Sequence, residues 1–245
     1  MSHPAGAPSP AVLAALAVPH CVYRERVAST MDDAHALAGE GALPGTVVLA
    51  AAQDAGRGRG GRPWLSEPDA GLWLTLIERP DDPRALDVLA LRVGLALADA
   101  LESLVDGAIA LKWPNDLLIA RRKLAGVLIE ARWRDAHPEW VAIGVGINRR
   151  IPDDYPLAAA VRSDVTRDDL LLAVVPAIRR AARGRGPLSV AECERWASRD
   201  AARGRRVREP VEGVVEGITA GGALTVRQAS GVLRALSSGS LVFDE

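Results

Sequence analysis

The sequence predicts an α+β fold: a mixed, largely antiparallel sheet with helices on one face, then a small all-β unit. Three observations predict it. Short strand-like runs cluster in the middle of the chain. Runs with apolar residues at helical spacing lie around them. From Gly204 onward, short β-type segments alternate with Gly221-Gly222, Gly231 and Gly239, the pattern of a small barrel. The chain has 245 residues, 49% of them apolar, enough for one large domain and a small one. The expected units are residues 1–200 and 201–245.

Residues 1–19 are rich in Ala and Pro and are expected as a loose arm. A strand follows at 22–27. Ser29 and Thr30 offer side-chain oxygens at a helix N-terminus, and Asp32 and Asp33 suit the positive end of its dipole. That helix runs to Gly39 or Gly41. Residues 46–52 form a buried strand and 71–78 alternate as another. Residues 84–104 carry apolar positions at helical spacing and predict the longest helix. Strands at 109–113 and 116–120 are broken by Pro114, which cannot donate to a ladder. A turn at Arg121-Arg122 leads into an antiparallel pair, 123–133 and 140–147. Helices are expected at 167–183 and 190–199. Segments at 207, 211–218, 223–228, 232–236 and 241–243 make the final all-β unit.

Composition narrows function. The formal net charge is -1, which argues against a general nucleic-acid binder that needs a basic face. Cys21 and Cys193 stand far apart, with no disulfide framework and no zinc spacing. His3, His20, His35 and His137 also lack metal-ligand spacing and read as ordinary surface or loop residues. No apolar run is long enough to span a membrane, and the N-terminus lacks the basic flank of a signal peptide. A cytoplasmic protein with reduced thiols is expected.

The charge is concentrated locally. Gly56-Arg57-Gly58-Arg59-Gly60-Gly61-Arg62 packs four glycines and three arginines into seven residues, and Trp64 closes the run. Glycine lets backbone amides approach a ligand, and arginine presents a planar fork that suits carboxylates and phosphates. A G-x-G-x-x-G lies inside it, but Pro63 and Pro68 follow where a dinucleotide fold needs a helix. Lys112-Trp113-Pro114-Asn115-Asp116 comes next, then Arg122-Lys123-Leu124-Ala125-Gly126, then Gly144-Val145-Gly146-Ile147-Asn148. In order and spacing these four segments resemble the biotin–protein ligases, from Tyr23 to the C-terminus. The resemblance implies a class II synthetase-like catalytic domain with a C-terminal SH3-like barrel. Only about 20 residues precede the first strand, so the expected form lacks an N-terminal DNA-binding domain.

The activity implied is ATP-dependent attachment of biotin, through biotinyl-5′-AMP, to a lysine of a biotin carboxyl carrier domain. Biotin and ATP bring two anions together, and charge develops at the α-phosphate. Cationic side chains on a closing loop suit that task. Arg57 and Arg59 are candidates for phosphate and carboxylate contacts, with Arg62 beside them. Gly56, Gly58 and Gly61 would bring amides to the ligand. Lys123, by resemblance, bridges the biotin carboxylate and the α-phosphate, with its ammonium at the sheet edge. Gly126 would leave room for biotin and Leu128 would form an apolar wall. Ser29, Thr30 and Gln53 would meet the biotin ring, whose urea has both donors and an acceptor for hydroxyls. The Ser-Thr pair serves equally as a helix cap. Asp116 would bind the ureido group or deprotonate the acceptor lysine. Lys112 reads as a phosphate-side or structural charge. Asn115 either contacts the nucleotide or caps its turn. Asn148 would read the adenine edge or shape a turn, and Trp64 would cover the adenylate or fill a hinge contact. Magnesium is expected through phosphate oxygens and water, with no dedicated protein cage.

Three other readings compete: a lipoate or other acyl ligase of the same fold, a non-catalytic biotin-binding module, and a biotin-sensing repressor. The complete Gly/Arg loop with Lys123 argues against the second, and the missing DNA-binding domain against the third. A monomer or weak homodimer is expected, with no DNA and no membrane partner.

Overall fold

Strand alternation divides the buried side chains into two layers. In β2 (Val47–Gln53), Val47 and Leu49 join one core while Val48 joins another. The same split separates Leu76 from Ile77 in β3 (Gly71–Glu78) and Ile143 from Ala142 in β7 (His137–Asn148). These strands are apolar on both faces, so both faces must be covered. The computed structural model describes residues 7–152, 155 and 157–244; His3 lies outside them.

The main sheet has seven strands in the order β1-β2-β3-β7-β6-β5-β4, with β1 at Cys21–Val27, β4 at Ile109–Lys112, β5 at Asp116–Ile119 and β6 at Arg122–Arg134. The β1–β2 pair is parallel and the other pairs are antiparallel. Helices α3 (Leu89–Leu101) and α4 (Arg167–Ala182) cover one face. Helix α2 (Thr30–Gly39) lies on the other, so the helices are not confined to one side. Its Met31, Ala34 and Ala38 form a narrow stripe that packs on Val48, Ile77 and Ala142. Small side chains there let helix and sheet approach closely.

Two expectations change at helix ends. Residues 10–16, expected in a loose arm, form helix α1 (Pro10–Leu16), capped by Ser9 Oγ accepting from Val12 N at 3.3 Å. Val12 and Leu16 bury in the main core, which pins the segment. The single helix expected over 84–104 is three pieces: a 3-10 turn at Pro83–Val88, α3 itself, and a 3-10 turn at Glu102–Leu104. Pro83 opens the first turn and Asp82 Oδ1 accepts from Arg84 N at 3.1 Å, tightening it. The turn before β6 falls at Ala120-Arg121, both at positive φ (47° and 68°), one residue earlier than expected.

Helix α5 (Val190–Arg199) leads to a second, antiparallel sheet. It has five strands in the order β11-β10-β9-β8-β12, at Leu233–Leu236, Leu224–Arg227, Gly213–Ile218, Arg206–Glu209 and Val242–Phe243. No pairing joins β11 to β12 among the described residues, so the ladder of this small all-β unit is not closed into a ring. Val207, Val215, Leu224, Val226 and Leu241 belong to the same buried cluster as the main sheet. Trp113 fastens the junction: it is 2% exposed and its Nε1 donates to Gly222 O at 3.0 Å. Among the described residues, no helix is long and apolar enough to cross a membrane.

Trp113→Phe tests this junction. It leaves the buried Gly222 carbonyl without its donor and is expected to cost about 1–3 kcal/mol. Urea unfolding of the two proteins gives the difference.

Candidate active site

A cavity of about 350 Å³ opens between the Gly/Arg loop, the ends of β4 to β6 and the second sheet. That volume lies within the range that holds small organic ligands. Its inner end is polar. Ser29 caps α2, accepting from Met31 N at 3.3 Å. Thr30 donates to Gln53 Oε1 through its amide (2.8 Å) and its hydroxyl (3.1 Å). The Thr30 and Thr75 hydroxyls meet at 2.9 Å, and Gln53 Nε2 donates to Ser66 Oγ at 2.7 Å. Ser29, Thr30, Gln53 and Thr75 all line the cavity. Thr75 was missed in the sequence, although a lone hydroxyl in the apolar strand Gly-Leu-Trp-Leu-Thr-Leu-Ile-Glu is a signal.

The Gly/Arg run folds as a hairpin. Arg57 bridges Pro63, Gly58 N donates to Arg62 O at 2.7 Å, and Trp64 N donates to Gly56 O at 2.8 Å. Gly60 and Gly61 make the tip at φ of 68° and 73°, where a side chain would be strained. Gly56 and Gly61 do not line the cavity. A Cβ at Gly56 would meet Trp64 O at 2.6 Å, so this glycine is needed for the hairpin's own closure.

The three arginines differ. Arg57 reaches the cavity wall, but its Nη2 sits 2.7 Å from Asp32 Oδ1 and its Nε 3.3 Å from Glu130 Oε1. Hydrogen bonds to Asp32 and then Glu130 hold its proton above the ordinary arginine range. Its fork is thus engaged by carboxylates, against the expectation of a free anion grip. Arg59 donates to Gly239 O and Ser240 Oγ of the second sheet's last connection. Burial, then Arg62, pulls its pKa down. Arg62 lines the cavity beside it.

Lys123 is the second residue of β6, which lies between β5 and β7, so it stands at a strand end inside the sheet and not at the sheet edge. Its Nζ lies 2.7 Å from Asp116 Oδ1, an ion pair whose angles fall outside hydrogen-bond geometry. The same ammonium sits 4.8 Å from the Trp64 ring centre. Asn148 Nδ2 donates to Lys123 O and Ala159 O, each at 3.1 Å, so its amide donors hold the lysine's backbone and are not presented to a base. Asn115 Nδ2 likewise donates to Val127 O at 2.8 Å, fastening its turn to β6. Lys112 faces the Phe243 ring at 5.4 Å. Desolvation lowers its pKa, opposed by Asp116 and reinforced by Lys123, Arg62 and Arg205.

Trp64 packs edge-on against Trp73, with ring centres 6.3 Å apart. A Cβ on Gly126 or Gly146 would meet its indole at 2.8 or 2.5 Å. The room over Gly126, expected for biotin, is therefore held by Trp64. The indole Nε1 is buried without a hydrogen-bond partner among the described residues. Leu128 and Met31 complete the apolar lining.

Gly146→Ala isolates that packing, because β7 itself accepts alanine. The added methyl is expected to cost about 1–3 kcal/mol through overpacking. In a Trp64→Ala background the same change should cost much less. Urea unfolding of the four proteins measures the coupling, and an equal cost in both backgrounds contradicts the packing.

Comparison with known proteins agrees with this geometry. The biotin/lipoate A/B protein ligase family model matches residues 23–148, about half the chain, and the biotin protein ligase C terminal domain model matches 203–244. The chain is 39% identical over 139 residues to the bifunctional ligase/repressor BirA of Bacillus spizizenii, covering 56% of this chain and 43% of that protein. It is 40% identical over 126 residues to a biotin–[acetyl-CoA-carboxylase] ligase of Mycobacterium tuberculosis, covering 49% and 46%. The match thus spans under half the length of these curated relatives. Among solved structures, a biotin protein ligase from Aquifex aeolicus in complex with biotin and ATP is similar at a TM-score of 0.74 and 26% identity, covering 92% of this chain and 100% of that one. One from Leishmania major with biotinyl-5-AMP is similar at 0.62 and 28%, covering 90% and 99%. From the matched core and the cavity it builds, the chain belongs to the biotin/lipoate A/B protein ligase family.

Proposed function

We propose that this chain activates biotin with ATP as biotinyl-5′-AMP and transfers it to a lysine of a biotin carboxyl carrier domain. One observation carries the choice of acid: the chain of Ser29, Thr30, Gln53 and Thr75 at the inner end of a cationic cavity. A cyclic urea has two N–H donors and a carbonyl to match such groups, whereas a dithiolane has none. These groups pair with one another but keep spare donors and acceptors, which a lipoyl head cannot engage and a urea can.

In the first step a biotin carboxylate oxygen bonds to the α-phosphorus, and the bond to the β-phosphate oxygen breaks, releasing pyrophosphate. Two anions must meet for this. Lys123, with Arg59, Arg62 and Lys112 on the same cavity, offsets their repulsion and the charge gained in the transition state. In the second step the acceptor lysine's amine attacks the acyl carbon, and AMP leaves with the bonding pair. Asp116, beside Lys123, is placed to take the amine proton. Magnesium, when bound, would neutralise the triphosphate through its oxygens and water; Asp116 is the one carboxylate among the described residues lining the cavity. Trp64 shields the adenylate from water in this reading. We place the protein in the cytoplasm, acting as a monomer or weak dimer without DNA.

The primary test incubates pure protein with biotin or lipoate and Mg-ATP and separates the products. Biotinyl-AMP from biotin alone is expected. Lipoyl-AMP as the main product supports the acyl-ligase alternative, and no adenylate supports the non-catalytic one.

Two substitutions probe the roles. Lys123→Ala is expected to slow single-turnover adenylate formation on the order of 10²-fold or more with the fold intact. Lys123→Arg should restore this only in part, because the guanidinium is bulkier and planar. Near-normal formation in a folded Lys123→Ala protein makes the lysine structural. Arg59→Ala should release biotinyl-AMP faster, by roughly tenfold or more, the worth of one charge-assisted hydrogen bond. Stopped-flow release measures it, and an unchanged off-rate removes Arg59 from the site.

A further inference from the structure

The carboxylates that engage Arg57 do not stand alone. Asp32 and His35 are three residues apart on α2 and share a face. His35, read in the sequence as an ordinary surface residue, has its Nε2 3.0 Å from Glu130 Oε2, and its Nδ1 2.9 Å from Trp140 Nε1. An indole nitrogen only donates, so His35 Nδ1 accepts and Nε2 carries the hydrogen toward Glu130. Glu130 then holds Arg57 with both oxygens, at 3.3 and 3.4 Å. The relay runs Trp140–His35–Glu130–Arg57 and joins β7, α2 and β6 to the first strand of the hairpin. Asp32 closes it from the other side at 2.7 Å.

We infer that Glu130, set by His35 and Trp140 and assisted by Asp32, is a positioning residue that fixes the hairpin's stem through Arg57. This rests on the ligase reading for its consequence, though not for its geometry. Arg57 faces two carboxylates, so it adds little free positive charge to the cavity. It anchors the base while Arg59 and Arg62, beyond it, remain to meet the ligand. The pairing needs a bidentate acceptor at Glu130 and a fork at Arg57; a lysine at 57 would keep the charge and lose the alignment. Loosening the stem should free the tip to open, so the adenylate escapes faster while the bond-making step is little changed.

The test compares Glu130→Gln, Arg57→Lys and Asp32→Asn with wild type, each checked by a melting curve. Asp32 is half-exposed and weakens the same clamp should Glu130→Gln fail to fold. Hydrogen exchange in the ligand-free proteins is the first readout. The amides of Gly58 and Trp64 should exchange roughly tenfold faster in the variants, with those in the middle of β6 unchanged. Release of biotinyl-AMP against its single-turnover formation is the second. In Glu130→Gln and Asp32→Asn, release should accelerate by a similar factor, with formation within about twofold. Unchanged loop exchange in the folded variants overturns the proposal. Faster exchange with unchanged release overturns its link to ligand retention, as does an equal loss in formation. A wild type that makes no adenylate defeats the ligase reading instead, and the exchange comparison still decides the stem's role.

Discussion

Arg59, Arg62, Lys112 and Lys123 face one cavity, and Asp116 is the one carboxylate among the described residues on its wall. That imbalance constrains the rest of the structure. Like charges in a half-buried space repel, and the lowered pKa values of Lys112 and Arg59 register both burial and neighbouring cations. Such an arrangement is costly for a free protein and is repaid when an anion enters. The fold bears the cost by tying three of the four cations to something: Lys123 to Asp116 and the Trp64 face, Lys112 to Phe243, Arg59 to the carbonyl of Gly239. Asp116 offsets one charge, and the cavity keeps an excess of cations. These partners hold the side chains in place, which is how a site avoids reorganisation when the ligand's charge develops.

The second sheet is part of that arrangement. Its last connection supplies Ser240 and Leu241 to the cavity and the Gly239 carbonyl to Arg59, and its Phe243 lies under Lys112 and Arg205. The shared apolar core and the Trp113 hydrogen bond keep that connection against the main sheet. Deep in the cavity, the glycines of β6 and β7 let a tryptophan lie flat on the sheet, while hydroxyls and an amide collect at α2. One end of the site is therefore polar and neutral and the other is cationic. An acid with a hydrogen-bonding head and a carboxylate tail matches both ends.

Much of this was legible in the chain because the chemistry is written in contiguous segments. The Gly/Arg run, the Lys112–Asp116 segment, Lys123 and the Gly144–Asn148 strand end all reach one cavity. What escaped was the division of labour inside those segments. Nothing local distinguishes Arg57, held by Asp32 and Glu130, from Arg59, because its partners lie 25 residues before and 73 residues after it in sequence. Asn148, read as contacting the adenine edge or shaping a turn, spends its amide hydrogens on Lys123 O and Ala159 O. Thr75 sits in a strand whose alternation is apolar on both faces, and only the neighbouring helix shows what its hydroxyl meets. The same limit hid α2's placement: its stripe of Met31, Ala34 and Ala38 is too narrow to declare which face it covers. Pro83 and Asp82 were local signals that outranked helical periodicity over 84–104.

The central claim is that the cavity is shaped for an adenylate whose acid carries a urea-like head. Calorimetric titration with biotinyl-5′-AMP, and separately with lipoyl-5′-AMP, tests it most directly. The account predicts saturable one-to-one binding of biotinyl-5′-AMP, and binding of the lipoyl adenylate weaker by on the order of 10²-fold, since a dithiolane makes no hydrogen bonds to the spare donors and acceptors of the hydroxyls and amide. Equal affinity for the two adenylates, or no binding of biotinyl-5′-AMP, would contradict it.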